Sequence, residues 1–340
     1  MKVPSLLTRL GICLSLGLLA AGVRAQPFQL PTANRALFEP GGEERYFVGT
    51  VGKPWTSGAF GGVRSEGGQL HEGIDVRCLK RDRKGEPDDP VLATADGTVA
   101  YINKKAGLSN YGNYVILRHL VEGLEIYSLY AHLSEVKTGL HAGQTVKAGE
   151  VIAVMGRTSN TEQRISKDRA HVHFELNLFV NDRFAAWFAQ RCPGQRNDHG
   201  AWNGRNLTGL DPREILLAEH QLGPRFSLLN YVRSQTVLCR VLVRDTKFPW
   251  VQRYAPLVRR NPLAEKEGVA GYELAMNYTG VIFELTPRAP SEMKGPAKHC
   301  LLSVNEAEAA KNRCGHLVVK RAGTWQLTPK AEQWLDLVTF

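Results

Sequence analysis

The chain has 340 residues, 43% of them hydrophobic, and its 43 Lys+Arg against 33 Asp+Glu give a formal net charge of +10. That length accommodates two domains of roughly 100–200 residues each. The sequence holds no internal repeat and no low-complexity tract, which excludes solenoid and fibrous architectures. The charge is regional: residues 26–220 carry 23 basic and 23 acidic side chains, whereas residues 221–340 carry 17 and 10.

At the start of the chain, Lys2 and Arg9 precede an apolar run over 10–23, and Ala25 stands before Gln26. A positive stretch, a short apolar stretch and a small residue at the cut describe a secretory signal peptide, here 1–25. The run falls short of the ~20 apolar residues that a bilayer span requires. The mature protein is therefore expected to be secreted or held in the periplasm or cell envelope, with no transmembrane anchor after cleavage. An N-terminal extension, 26–44, comes next. Cys78, Cys192, Cys239, Cys300 and Cys314 survive maturation, and an oxidising compartment favours disulfides among them. Cys300 and Cys314 make the most economical pair, and the odd count leaves one thiol over. No C-x-x-C spacing occurs, which argues against a thiolate zinc site.

Residues 91–94, 98–103, 114–119, 125–132, 151–155 and 171–179 are short runs rich in Val, Ile, Tyr and Leu. Asp96-Gly97, Tyr111-Gly112-Asn113, Glu122-Gly123, Ala142-Gly143 and Ala148-Gly149 separate them. Short strands between Gly-rich turns predict an antiparallel sheet, sandwich-like or barrel-like. Helices are expected over 182–189 and 212–220, the second with Asp211 as N-cap and Pro212 in its first turn. The pattern pauses at Leu222-Gly223-Pro224, which divides a domain over 45–222 from a basic one over 223–340. In the latter, strands are expected over 236–244, 280–285 and 316–320, and helices over 306–312 and 329–337. The fold class is thus mainly β, with a second, smaller α+β C-terminal domain.

Three segments carry chemistry. The first is His71-Glu72-Gly73-Ile74-Asp75, where a turn at Gly73 lets His71 and Asp75 reach one metal ion. The second is Tyr130-Ala131-His132-Leu133 at a strand end. The third is His171-Val172-His173-Phe174-Glu175, where the two-residue period of a strand points both histidines to one face. Two imidazoles and a carboxylate suit one Zn2+ per chain and leave a coordination position open. Such a site acidifies water to a pKa of ~7 and polarises a carbonyl, as amide hydrolysis requires. His132 and the unused member of the His171/His173 pair would serve proton transfer and oxyanion stabilisation.

These segments resemble the lysostaphin/LytM-type zinc endopeptidases, also called β-lytic metallopeptidases. The resemblance runs from about Gly67 to Leu216. It rests on H-E-G-I-D, Pro90-Val91 with Ala95-Asp96-Gly97-Thr98-Val99, Gly112-Asn113-Tyr114-Val115, Y-A-H-L, Val146-Lys147-Ala148-Gly149, H-V-H-F-E and Leu210-Asp211-Pro212. It implies an antiparallel β core and zinc binding by His71, Asp75 and His173. It also implies catalytic roles for His132 and His171, with Glu175 orienting a ligand. The implied substrate is the peptide cross-link of bacterial peptidoglycan, and no nucleic acid is expected as a partner.

The chain departs from the family pattern in a charged insertion over 78–89, a longer charged loop over 158–170 and an insertion over 181–209. The loop over 158–170 is expected to form a mobile charged lip of the groove. Two other readings compete with the enzyme. One is a non-catalytic LytM-like regulator or wall-binding protein that activates another cell-wall hydrolase, although such relatives have typically lost zinc ligands. The other is an exported binding protein whose zinc site only braces the fold. The basic excess after residue 221 suits attraction to an anionic envelope polymer, or solubility alone.

Overall fold

The computed structural model describes residues 28–64, 68–311 and 316–340. The expected signal peptide over 1–25 and the expected Cys300–Cys314 pair fall, wholly or through Cys314, outside the described residues. Among the described residues, no helix is long and apolar enough to cross a membrane. Cys78, Cys192, Cys239 and Cys300 are free thiols.

After a short helix, α1 (Glu43–Tyr46), the chain forms a hairpin of β1 (Val63–Arg64) and β2 (Gln69–Leu70) and then β3 (Ile74–Arg77). The strands β4 (Pro90–Leu92), β5 (Gly97–Asn103), β6 (Asn113–Val121), β7 (Leu124–Leu133), β8 (Glu135–Val136), β9 (Thr145–Val146), β10 (Val151–Val154), β11 (His171–Phe179) and β12 (Leu207–Leu210) follow. Helix α2 (Phe184–Arg191) stands between the last two. The main sheet runs β12-β11-β7-β6-β5-β9, and β3 pairs with the first half of β11. A smaller sheet runs β4-β10-β8. All the paired strands are antiparallel. Every residue of β11 is buried, so this strand is the axis on which the other site segments are hung.

One face of the main sheet packs into the principal core, with Val115, Leu117, Tyr130, Val172, Phe174 and Leu176 among its members. The other face gathers Tyr114, Ile116, Tyr127, Leu129 and Phe179 beneath Trp202 and Ala201 of the 181–209 insertion. That insertion therefore covers part of the sheet, and its stacked rings supply the apolar area that repays its ordering. The described part of the N-terminal extension is held against the segment around β4 and against His220. Gln29 N donates to Thr94 O, Leu92 N donates to Pro31 O, and Phe38 stacks on His220.

Helix α3 (Pro212–Leu222) begins as expected, the Asp211 carboxylate accepting from Arg213 N and Glu214 N. Beyond it come α4 (Leu228–Arg233), β13 (Cys239–Val243), α5 (Pro249–Arg253), α6 (Pro262–Glu267), β14 (Gly271–Met276), β15 (Ile282–Arg288), β16 (His299–Val304), α7 (Glu306–Lys311), β17 (Val318–Arg321), β18 (Thr324–Leu327) and α8 (Pro329–Val338). Strands β15-β14-β13-β16 form an antiparallel sheet. This region is continuous with the principal core through Phe248, Trp250, Tyr254 and Leu257. Tyr254 Oη accepts from Phe179 N at 2.7 Å, satisfying a buried backbone donor at the end of β11. Asn181 Nδ2 likewise donates to Leu337 O at 2.7 Å. The expected elements of this region are present with shifted ends, while the strands β14, β16 and β18 and the helices α4, α5 and α6 are additions. β18 alternates as Thr324-Trp325-Gln326-Leu327 and β14 carries Tyr272, Leu274 and Met276 at every second position, so the two-residue signal is present there but short.

Candidate metal centre

β11 aligns two of the three segments by register alone. His173 faces Asp75 on β3 to one side and Ala131 on β7 to the other. Residues directly opposite in an antiparallel pair lie on the same face of a sheet. Asp75 and His173 therefore meet, and Asp75 Oδ1 is 3.0 Å from His173 Nδ1. His71 lies just before the bend at Gly73 and brings its Nε2 to 3.1 Å from both of those atoms. Gly73 matters here for clearance as well as for the bend: a Cβ there would fall on the Phe174 carbonyl oxygen and against Glu175 Cγ.

The three donor atoms lie within 4.8 Å of one another, and all three residues are buried. Each histidine has one ring nitrogen tied to an acceptor, so that nitrogen carries a proton and the other is the one that can face a metal ion. His71 Nδ1 donates to Ala59 O at 2.9 Å, and His173 Nε2 donates to Glu175 Oε1 at 2.7 Å. Asp75 points Oδ1 at the histidines, while Oδ2 accepts from Arg64 Nη2 at 2.8 Å. One lone pair from each of two imidazoles and one carboxylate oxygen fits a metal of the zinc type.

The electrostatics agree with a cation at this point. Burial alone pushes the Asp75 carboxyl up, but the positive field and hydrogen bonds of the surrounding histidines hold it well below the usual range. Glu175 behaves in the same way, with burial outweighed by donors from His173, Tyr111 and Asn177. Burial disfavours charge on His173 as well, yet the flanking Asp75 and Glu175 raise it to about 10. Two buried carboxylates thus favour a positive charge between them, whether proton or metal ion.

His171 and His132 join this cluster. His171 donates from Nδ1 to Arg169 O at 2.7 Å, and its Nε2 lies 3.4 Å from Asp75 Oδ1. His132 donates from Nδ1 to Thr158 O at 2.8 Å. Its ring centroid is 4.9 Å from that of His171 and 6.0 Å from that of His173. Burial lowers both histidines, and a charge on His132 would be further disfavoured beside His171 and His173, so both favour the neutral form.

Strict alternation would send His132 to the face opposite Ala131. Between the pairs Tyr130–Val115 and Leu133–Asn113, however, β7 holds one residue more than β6. A bulge of this kind re-aims a side chain, and His132 takes the left-handed conformation, with φ 61°. The close approach behind it needs Gly156, where a Cβ would meet Ser134 N and His132 O.

All five residues singled out from the sequence are thus brought to one place. Arg64 and Tyr111 join them without having been foreseen. Tyr111 sits in the Tyr111-Gly112-Asn113 turn and lays its ring 5.6 Å from that of His173. Arg64 reaches Asp75 only because β1 and β2 fold back on each other, so local sequence carried no sign of it. The loop expected to be a mobile lip is braced against the 78–89 insertion. Arg157 Nε and Nη2 bind Glu86 at 2.7 and 3.0 Å, and Arg81 Nη1 donates to Lys167 O at 2.7 Å.

Residues 69–183 match the profile of Peptidase family M23. An "Uncharacterized metalloprotease" of Haemophilus influenzae is 42% identical over 158 residues, covering 45% of this chain and 27% of that protein. The "Murein hydrolase activator NlpD" of Escherichia coli is 36% identical over 112 residues, covering 33% of this chain and 24% of that protein. The match therefore spans about a quarter of the length of either relative. Among solved structures, the catalytic domain of the M23 protein EnpA from Enterococcus faecalis aligns with TM-score 0.27 and 21% identity, covering 35% of this chain and 77% of that one.

Proposed function

We propose that the chain, whose residues 69–183 match Peptidase family M23, is an exported zinc metalloendopeptidase hydrolysing peptide cross-links of bacterial peptidoglycan. The observation that carries this reading is the convergence of three ligand-type donors with two further histidines, each ring oriented through its second nitrogen. A centre that only braced the fold would have no need of two more oriented imidazoles beside it.

His71 Nε2, Asp75 Oδ1 and His173 Nδ1 would hold the ion. Zinc bound there supplies Lewis acidity toward a carbonyl oxygen and makes a water molecule acidic near neutral pH. Glu175 fixes the His173 tautomer, and Arg64 occupies Asp75 Oδ2 so that a single carboxylate oxygen faces the centre. His132 and His171 each keep an unprotonated Nε2. Either accepts a proton as water attacks the amide carbon, then returns it to the departing amine nitrogen. The left-handed backbone of His132 is strain of the sort that structures retain at working sites.

The basic excess of residues 221–340 supports attraction of this region to an anionic envelope polymer. Binding of that kind falls as salt rises, because exposed charges are screened over ~10 Å at 0.1 M. The similarity to a protein named as a murein hydrolase activator favours a second reading, in which the chain activates another hydrolase. Purified protein incubated with peptidoglycan sacculi separates the two, with released fragments identified by mass. Fragments cut within peptide cross-links are expected from the protein alone. Release only in the presence of an added wall hydrolase would sink the endopeptidase and leave the activator.

A further inference from the structure

The two charged segments that depart from the family pattern come together as one wall. Glu86 of the 78–89 insertion accepts from Arg157 and lies 3.3 Å from Lys167 Nζ, so a carboxylate clamps the two loops. Lys167 Nζ also donates to Lys84 O at 2.8 Å. Against this wall lies a cleft of about 850 Å³, whose lining includes Asn113, Gly156 and Thr158. Thr158 is the residue whose carbonyl holds His132. The cleft therefore shares Thr158 with the support of His132, although no side chain of the candidate centre itself lines it.

Its charge is not balanced. Lys84, Lys104, Arg157 and Arg164 line it against Glu86 and Glu162. Arg157 is consumed by Glu86. Among the described residues, no ion pair holds the side chains of Lys84, Lys104 or Arg164. Three exposed cations with one opposing carboxylate at the mouth are suited to separate carboxylates on an extended chain. They suit a dense polyanion less well, because Glu162 repels it and Arg157, one of the two guanidiniums lining the cleft, is already taken by Glu86.

We infer that this cleft is a binding subsite for an acidic peptide segment, whose carboxylates pair with Lys84, Lys104 and Arg164. The inference rests on the proposed peptidase reading for its purpose, but not for its test. The full-length protein is titrated into a fluorescein-labelled hexapeptide of Glu and Ala, and into the same peptide with Gln for Glu, with anisotropy as the readout. Three exposed ion pairs correspond to roughly a tenfold preference for the Glu peptide at low salt, fading as salt rises. The Lys84→Gln/Lys104→Gln/Arg164→Gln variant is expected to lose that preference, Lys84→Arg/Lys104→Arg to keep it, and Glu162→Gln to enlarge it. Wild type that binds both peptides equally, or a triple variant with its preference intact, overturns the inference. So does a cleft that ignores the Glu peptide while binding polyphosphate through the same three residues, which would assign it to a phosphate polymer. Sacculus digestion by the same preparations reports the peptidase reading separately, so either idea can fail while the other stands.

Discussion

Asp75 lies directly opposite His173 across the β3–β11 pairing, with its Oδ1 3.0 Å from His173 Nδ1 and its Oδ2 2.8 Å from Arg64 Nη2. One carboxylate thus divides its two oxygens between the candidate metal position and a fixed guanidinium. Most of what can be tested about the site follows from that division of labour among the side chains.

Removing a proposed ligand and removing a proposed proton carrier should have different signatures. His71→Ala, Asp75→Ala and His173→Ala are each expected to lower bound zinc and wall hydrolysis together. His132→Ala and His171→Ala should keep the metal and lose rate by ~10²–10⁴-fold, the size of a proton-transfer contribution. Metal content by mass spectrometry beside sacculus digestion checks this. Metal loss in His132→Ala, or full activity in both of the latter variants, contradicts the assignment.

Glu175 touches the centre only through His173 Nε2, at 2.7 Å. Partners of this kind are typically worth ~10–100-fold in metal affinity. Glu175→Ala is expected to weaken zinc binding by about that factor, and Glu175→Gln, whose amide oxygen still accepts, by less. Competition with a chromophoric chelator measures both. Equal affinities in wild type and Glu175→Ala would rule out the orienting role.

Gly73 provides a purely steric test. Its missing Cβ leaves room for the Phe174 carbonyl oxygen and Glu175 Cγ, so Gly73→Ala must push β3 away from β11. Overpacking costs about 1–3 kcal/mol, and the shift should also separate His71 and Asp75 from His173. A lower melting temperature and reduced zinc occupancy are expected together. A variant that melts and binds zinc like wild type would show that the strands have slack.

His119 sets an acid limit on stability away from the centre. Burial pushes it down to about 4, and the neutral ring is matched on both sides. Nδ1 donates to Asp96 O at 2.8 Å, while Nε2 accepts from Ser128 Oγ at 2.7 Å. Because the folded value lies below the unfolded ~6.5, this contribution is complete above pH 6.5 and is lost as pH falls toward 4. The loss is on the order of 3 kcal/mol. Denaturant unfolding from pH 7 to pH 4 should show a steeper decline for wild type than for His119→Gln. Parallel curves would show that His119 titrates normally in the fold.

Several features could be read from the sequence alone because their physics is local. The two-residue period of His171-Val172-His173 requires both imidazoles on one face of a strand, and Asp211-Pro212 announces α3 through the unpaired amides of its first turn. Turn glycines separated the strands of the main sheet for the same reason. Other features depend on pairing between distant segments. The register that sets Asp75 and Ala131 on either side of His173 is such a case. So are the bulge that turns His132 back toward the centre and the hairpin that delivers Arg64. The brace between Glu86 and Arg157 joins residues 71 positions apart, and turns two loops that read as separate decorations into one wall. Local sequence specifies which side chains a segment offers and which way they alternate. Only the closing of long loops, when buried strands gain hydrogen bonds and apolar contact together, decides which of them meet.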